Sequence, residues 1–205
     1  MKKILVFISL CVLPYLSNAK VKGYYRVTLE SVEAAAVSGT IANNVGADKF
    51  TYPSYADEDI AISFSFQPTH IDFTLHNKTN SNIRIIWDEA IYVGGPSGVS
   101  DGVFHSGVRF IEREKAQTPS VIMKGSNLTD MIVLKSGVSF SMNLGRWVYS
   151  YILWWENQLK DIKLMLPIEK GGEVVEYLFD FSVEWEKVKV KTRLLNGKEF
   201  YFKMK

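Results

Sequence analysis

A serine nucleophile is the first chemistry that the sequence suggests, because residues 98–102, GVSDG, match the G-x-S-x-G pattern of a nucleophile elbow. His105 follows closely and would supply an imidazole base. An elbow needs a strand before the serine, a helix after it and a histidine from a distant loop. Here a Gly/Pro-rich loop precedes Ser100 and a short strand is expected after it. We therefore interpret the match as accidental and predict no catalytic residue.

A metal site is the second possibility, because His70, Asp72 and His76 alternate and would share one face of a strand. Six residues of strand separate the two histidines by about 20 Å, at about 3.3 Å per residue, which is too far for one ion. His70 and Asp72 would share an ion only if His105 or an acid from a loop joined them. We predict neither a metal nor a cofactor.

Three consecutive acids at residues 57–59 would supply carboxylates for Ca²⁺ or for glycoside hydrolysis. Hydrolysis requires a second carboxylate at a defined separation, which a single sequence does not reveal. The simpler interpretation is a charged start of the strand that follows.

Aromatic side chains between residues 147 and 155 are the strongest candidates for ligand binding. Aromatics at alternate positions form a flat platform for sugar rings or for an apolar partner. Packing in the core is the alternative, because large aromatics dominate cores as well as interfaces. The candidate residues are Trp147, Tyr149, Tyr151, Trp154 and Trp155.

The first 19 residues have the composition of a secretory signal peptide. Two lysines precede an apolar run, and Ser17-Asn18-Ala19 places small residues at a cleavage site. The run is too short to cross a membrane as a helix. Lipidation of Cys11 is the alternative, although Leu10 is large where a lipidation site has a small residue. We expect a bacterial chain exported to the periplasm or the cell surface, with residues 20–205 as one mature domain and no transmembrane segment.

The composition of the mature chain excludes several partners and reactions. Loss of the two leader lysines leaves 22 basic and 22 acidic residues, so the charge predicts no nucleic-acid partner. Cys11 is the only cysteine, so the mature chain has no disulfide and no thiolate nucleophile.

The elements that would position these residues are strands. Residues 71–77 and 83–87 alternate apolar and polar side chains around a polar hexapeptide, which predicts two paired strands with Trp87 as a core anchor. Clear alternation also marks residues 60–66, 138–144, 162–166 and 175–185. Residues 43–59 are rich in Gly, Asn, Asp and Tyr with Pro53 among them, which predicts a long surface loop.

These patterns predict an all-β protein. About eight to ten short strands separated by turn residues, with at most short helical turns, favour an antiparallel β-sandwich of the immunoglobulin-like kind. A closed barrel is the open alternative.

Several motifs resemble a family of bacterial exported proteins and lipoproteins of unknown function. They are D-E-D-I-A-I at residues 57–62, F-T-L-H-N at 73–77, I-R-I-I-W-D-E-A at 83–90, F-H-S-G-V at 104–108, and the later L-P-I-x-x-G-G and Y-L-F-D-F. The resemblance covers most of the mature chain. It implies an immunoglobulin-like β-sandwich and a location in the cell envelope, and it transfers no catalytic residue.

The sequence therefore predicts an exported cell-envelope protein with a non-catalytic binding or structural role. Its partner would be an envelope protein or a glycan. The alternative is an envelope hydrolase that acts on carbohydrate or ester substrates, and whether the chain is an enzyme stays open. An enzyme would gather Ser100, His105 or the acids of residues 57–59 in one pocket, whereas a binding protein would expose Trp147, Tyr149 or Trp154.

Overall fold

The structure is a computed structural model that describes residues 23–35, 37–46, 50–94, 98–153 and 161–187. The predicted signal peptide at residues 1–19, with Cys11, lies outside these ranges, as do Trp154 and Trp155.

The described residues form fourteen strands and two one-turn 3-10 helices. The helices are Trp87–Glu89 and Phe110–Glu112. The strands are β1 (Gly23–Glu33), β2 (Thr40–Val45), β3 (Thr51–Ala56), β4 (Ile60–Phe66), β5 (Ile71–Asn77), β6 (Ile83–Ile85), β7 (Ile91–Gly94), β8 (Val99–His105), β9 (Ser120–Ile122), β10 (Asn127–Leu134), β11 (Val138–Ser141), β12 (Arg146–Tyr149), β13 (Asp161–Lys170) and β14 (Glu173–Lys187).

Strand pairing is antiparallel throughout, and β8 joins two sheets. One sheet contains β1, β14, β13 and β7, with β6 beside β13 and β9 beside β6. The other contains β10, β5, β4, β3 and β2. The first half of β8 pairs with β7, and its second half pairs with β10. The prediction of an antiparallel all-β sandwich is confirmed, although the strands are more numerous than the eight to ten expected.

A side chain brings the two free ends of this arrangement together. Asn43 in β2 accepts a hydrogen bond from the Leu29 amide at 2.8 Å and donates one to the Leu29 carbonyl oxygen at 3.1 Å. Its amide group thus imitates a neighbouring strand at the edge of β1. The sheet is therefore almost closed, because the Asn43 side chain makes hydrogen bonds to β1 that a neighbouring strand would otherwise make.

The core lies between the two sheets and is rich in aromatic rings. Phe64 of β4 meets Phe179 and Phe181 of β14 edge to face, with centroids 5.0 and 5.2 Å apart. Phe73 lies 6.1 Å from Trp87, which is 1% exposed, so Trp87 is the core anchor that the sequence predicts. Among the described residues, no helix is long and apolar enough to span a bilayer.

The predicted pairing of residues 71–77 with residues 83–87 is wrong. Strand β5 pairs with β4 and β10, whereas β6 pairs with β13 and β9 in the opposite sheet. The two segments share one apolar core but lie on opposite sides of it. Alternation determines which face of a strand is buried, but it does not select the partner strand.

The side chain of buried Asn77 organises the polar segment that connects β5 to β6. Its Nδ2 donates to the carbonyl oxygens of Ser81 and Ile122, at 2.8 and 3.0 Å. Its Oδ1 accepts hydrogen bonds from the amide and the hydroxyl of Thr79. The hexapeptide is therefore a crossing between the sheets and not a hairpin turn.

The long loop predicted at residues 43–59 is also wrong, because it contains the end of β2 and all of β3. Thr51, Pro53 and Tyr55 are buried on alternate positions of β3. Pro53 lies opposite Asn43 of β2, whereas the pairing of β3 with β4 begins only at Ser54. On the β4 side, therefore, no ladder requires the amide hydrogen that Pro53 lacks. Residues typical of loops therefore form an alternating strand here, which their composition alone does not indicate.

Candidate functional site

Strands β11 and β12 form a separate two-stranded hairpin that carries the main apolar surface of the described residues. Its partners are Val138 with Tyr149 and Phe140 with Trp147. Because cross-strand partners and alternate residues share a face, these four side chains point the same way. Val138 is buried, and the rest of this face extends outward from it.

The apolar side chains around this hairpin are exposed to an unusual degree. Met142 is 86% exposed, Ile111 76%, Leu144 60%, Phe140 48% and Tyr149 40%. We call these five residues, together with Trp147, the hairpin surface. A cluster of exposed large apolar side chains is typical of an interaction site.

Aromatic contacts connect the hairpin to the segment that carries Ile111. The Phe110 ring lies 5.7 Å from Trp147 and 5.4 Å from Tyr149, both edge to face, and Phe140 lies 5.6 Å from Trp147. The Arg113 guanidinium lies 5.6 Å from the Trp147 ring centroid. Residues 108–111 and Trp147 line an open apolar groove of about 380 Å³.

The predicted aromatic residues divide between core and surface. Trp147 is partly buried against a small cluster that contains Phe104, Val133 and Val138. Tyr149 and Tyr151 are 40% and 43% exposed. Trp154 and Trp155 lie outside the described residues, so their predicted role stays a prediction.

Sequence reasoning missed the most exposed members of the hairpin surface. The alternation of residues 138–144 predicts one strand, with Phe140, Met142 and Leu144 on the face opposite Ser139 and Ser141. Strand β11 instead ends at Ser141, and residues 142–145 form the turn of the hairpin. Asn143 and Gly145 were the available turn signal, and Gly145 has a φ of 59°.

The nucleophile-elbow pattern does not form an elbow. Ser100 and His105 both lie on β8, where an odd spacing places them on opposite faces, about 17 Å apart at about 3.3 Å per residue. Ser100 pairs with Val93 in the β-ladder. Ser100 therefore lies within a strand and not at a turn between a strand and a helix.

His105 instead pairs with an acid that sequence reasoning missed. Its Nδ1 lies 3.1 Å from Asp130 Oδ2, and its ring stacks on Trp87 with centroids 4.6 Å apart. Burial alone would raise the pKa of the Asp130 carboxyl, but hydrogen bonds from His105, Ser106 and Met131 hold that pKa below its usual value. No local spacing signals this pair, because the β8–β10 register creates it.

The other two histidines do not approach a common ion. His70 Nε2 lies 3.3 Å from Asp72 Oδ1, whereas His76 Nδ1 bonds to Asn127 Oδ1 at 2.8 Å. Across the described ranges, no group of three or more His, Cys, Asp or Glu side chains is placed to hold a metal.

The acids of residues 57–59 organise the turn before β4. Asp57 is buried, and its Oδ1 accepts hydrogen bonds from the amides of Asp59 and Ile60, each at 2.8 Å. Asp59 forms an ion pair with Lys170. Burial, followed by the charge of Asp57, raises the pKa of Tyr55 to about 12 and also raises the pKa of Tyr177. This structural arrangement agrees with the charged strand start that the sequence suggests.

Comparison of the chain with models of protein families, with curated proteins and with solved structures finds no match.

Proposed function

We propose that the protein is an exported cell-envelope protein that binds a partner protein through the hairpin surface and catalyses no reaction on it. The observation that carries this proposal is the exposure of Met142 and Ile111, at 86% and 76%. Leaving such side chains in water is unfavourable by about 25 cal/mol per Å² of apolar area, which a partner would recover on binding. Export is supported by the composition of residues 1–19.

The surroundings of the hairpin surface favour a protein with acidic side chains at the edge of its own apolar patch. Arg109 lines the apolar groove, Arg113 lies over Trp147, and Arg146 is exposed at the start of β12. The neighbouring acids are already paired, Glu112 with Lys115 and Glu114 with Arg113. The rim is therefore basic and complementary to carboxylates.

A glycan fits this surface less well than a protein does. Stacking of a sugar requires a free aromatic face. Arg113 lies over the Trp147 ring, and Phe110 and Phe140 pack against it. Met142, Leu144 and Ile111 offer no hydrogen bonds to hydroxyl groups, whereas they fit the apolar core of a protein interface.

The hydrolase alternative has less support from the geometry. Ser100 and His105 lie on opposite faces of β8, and the acids of residues 57–59 are occupied by backbone amides and Lys170. These are the groups that an enzyme of the expected kind would bring together in one pocket.

The test is site-specific photo-crosslinking from position 142 in the native cells. We expect one defined protein adduct, and we expect the purified adduct partner to bind the purified domain directly. Replacing Met142 and Leu144 together by serine should weaken that binding by about 10- to 100-fold, because centrally placed apolar residues dominate interfaces. Fractionation of the same cells should place the processed chain in the envelope.

The matched control replaces Val121 and Met123 by serine, since these residues are 58% and 65% exposed but lie in β9 and directly after it. Both double variants should unfold at the temperature of the unmodified protein. Equal binding by the two variants, an adduct only with a second copy of this chain, or retention by glycans alone would each contradict the proposal.

A further inference from the structure

The hydrogen bonds of the β11–β12 hairpin determine which of its backbone groups point outward. The Ser150 amide donates to the Gly137 carbonyl oxygen at 2.7 Å, and the register of the hairpin places these two residues opposite each other. In an antiparallel pair, hydrogen-bonded residues alternate with residues whose amide and carbonyl groups point away from the partner strand. The next pair, Val138 with Tyr149, is therefore of the second kind, and so is the pair that contains Trp147.

The outer edge of β12 consequently presents unused backbone groups. Trp147 and Tyr149 each direct one amide hydrogen and one carbonyl oxygen away from β11, and in the part of the chain that the structure describes these groups have no hydrogen-bond partner. The edge of β1, by contrast, is covered by the Asn43 side chain. Strand β12 contains neither a lysine nor a proline, and its one charged residue, Arg146, lies at its first position. An edge without such protection accepts a further strand.

The apolar groove lies on the side of β12 where a further strand would place its side chains. Residues 108–111 and Trp147 line this groove, and the Phe110 ring contacts the rings of both Trp147 and Tyr149. Side chains at opposing positions of neighbouring strands share a face. Every second side chain of an added strand would therefore point the same way as Trp147 and Tyr149. The edge offers hydrogen bonds to a backbone, and the groove offers space to alternate side chains.

We propose that an extended segment of the partner protein binds as a third strand along the outer edge of β12, with every second side chain in the apolar groove. This inference rests on the function proposed above and specifies which part of the partner is recognised. Backbone hydrogen bonds supply affinity in this kind of binding, and pockets for alternate side chains supply specificity. A third strand would also stabilise the hairpin, because two strands alone are only marginally stable.

The charge around the groove specifies the chemistry of the segment. Arg109 lines the groove, and Arg146 is exposed at the start of β12. The segment should therefore carry Asp or Glu beside its apolar residues. A second copy of this chain would instead bring the arginines of two basic rims together. A helix would leave the edge of β12 unpaired, because its backbone groups already bond to one another.

The test is selection of phage-displayed random linear peptides on the full mature chain, followed by amide hydrogen exchange in ¹H–¹⁵N spectra. We expect selected peptides to alternate apolar residues, to contain Asp or Glu, and to bind with a dissociation constant of about 100 μM or lower. A saturating peptide should slow exchange of the Trp147 and Tyr149 amides by about tenfold or more, because they then donate to its carbonyl oxygens. The amides of Val138 and Phe140, at the opposite edge of the hairpin, should change little.

Tyr149→Pro and Tyr149→Ala are the matched variants, because both remove the phenol ring and only proline removes the outward amide hydrogen. Proline is tolerated at the edge of a sheet. Tyr149→Pro should bind the selected peptide about tenfold more weakly than Tyr149→Ala does. If Tyr149→Pro does not fold, the exchange measurement on the unmodified protein decides the question.

Failure to select any peptide, equal binding by the two variants, or slowed exchange at Val138 and Phe140 in place of Trp147 and Tyr149 would each overturn this inference. The function proposed above fails separately. A single protein adduct at position 142 without any selected peptide would support that function and contradict only the third strand. Peptide binding without an adduct in cells would contradict the cellular partner and not the role of the β12 edge.

Discussion

At the scale of single residues, buried polar side chains determine how loops and strand ends are held. Asn77, Asp57 and Asp130 are each buried. Asn77 and Asp130 satisfy backbone groups of distant segments, and Asp57 satisfies the amides of its own turn. Such groups are costly when unpaired, because burial removes their water. Their positions show where the chain depends on one specific side chain.

Asp130→Asn should lower the free energy of unfolding at neutral pH by about 1.5 to 3 kcal/mol, because the carboxylate accepts hydrogen bonds from His105, Ser106 and Met131. The pKa of this carboxyl is held below the ordinary value of 3.8. Its stabilisation is therefore present above pH 3.8 and is lost as the pH falls through the folded-state pKa. Urea unfolding across this range measures the effect.

The control for this change is Asp72→Asn, since Asp72 is partly exposed and its carboxylate lies 3.3 Å from His70 Nε2. The difference in unfolding free energy between Asp130→Asn and the unmodified protein should become smaller in acid. A difference that stays constant would contradict the role given to the Asp130 carboxylate.

The candidate residues were partly predictable at this scale. Tyr149 stands out by residue type and is exposed, but Met142 and Leu144 read as part of an alternating strand and lie instead in an exposed turn. In the sequence, His105 is a candidate only beside the G-x-S-x-G pattern and as a possible third ligand for His70 and Asp72. Its partner Asp130 lies on another strand, so only the strand register reveals the pair.

At the scale of elements, the alternation of side chains predicted strands more reliably than it predicted their partners. Strands β5 and β6 follow one another in sequence, yet they belong to opposite sheets. Strand β3 was hidden by Pro53 and by loop-forming neighbours. Both errors have one cause, because the partner of a strand is selected by long-range packing and not by its own residues.

Asn43→Ala should destabilise the protein by about 1 to 3 kcal/mol, because it removes both hydrogen bonds to the Leu29 backbone at the almost closed edge. The free energy of unfolding in urea is the measurement. Asn44→Ala is the control, since Asn44 is the next residue of β2 and is exposed. Equal stability of the two variants would show that the edge does not depend on the Asn43 amide.

At the scale of the whole molecule, buried tyrosines make stability sensitive to alkaline pH. Burial raises the pKa of Tyr25 to about 12, and burial with the Asp57 charge raises the pKa of Tyr55 to about 12. Burial also raises the pKa of Tyr92 and Tyr177. These residues lie on β1, β3, β7 and β14, so the effect involves both sheets.

The free energy of unfolding should therefore fall as the pH rises from about 10 to about 12. The unfolded chain loses its phenolic protons near the ordinary pKa of 10.0, whereas the folded chain retains them, so the stabilisation is complete below pH 10 and disappears through pH 12. Urea unfolding at about pH 8 and about pH 11 measures the loss of stability. Phenolate absorbance at the same pH values measures the deprotonation of the tyrosines.

Tyr92→Phe is the matched variant, because the Tyr92 hydroxyl is buried without a partner among the described residues. Its removal should leave stability near neutral pH almost unchanged. It should also reduce the alkaline slope by at most about 1.4 kcal/mol per pH unit. Phenolate formation in the folded protein near pH 10, with no loss of stability, would contradict this account.

The sequence by itself determined the fold class and the buried face of most strands, because a period of two residues places every second side chain on one face. It identified Trp87 as an interior residue without reference to any partner. The tertiary structure alone decided which strands pair, that β8 joins two sheets, and that His105 meets Asp130. Pairing depends on contacts between segments far apart in the chain, and no local pattern specifies those contacts.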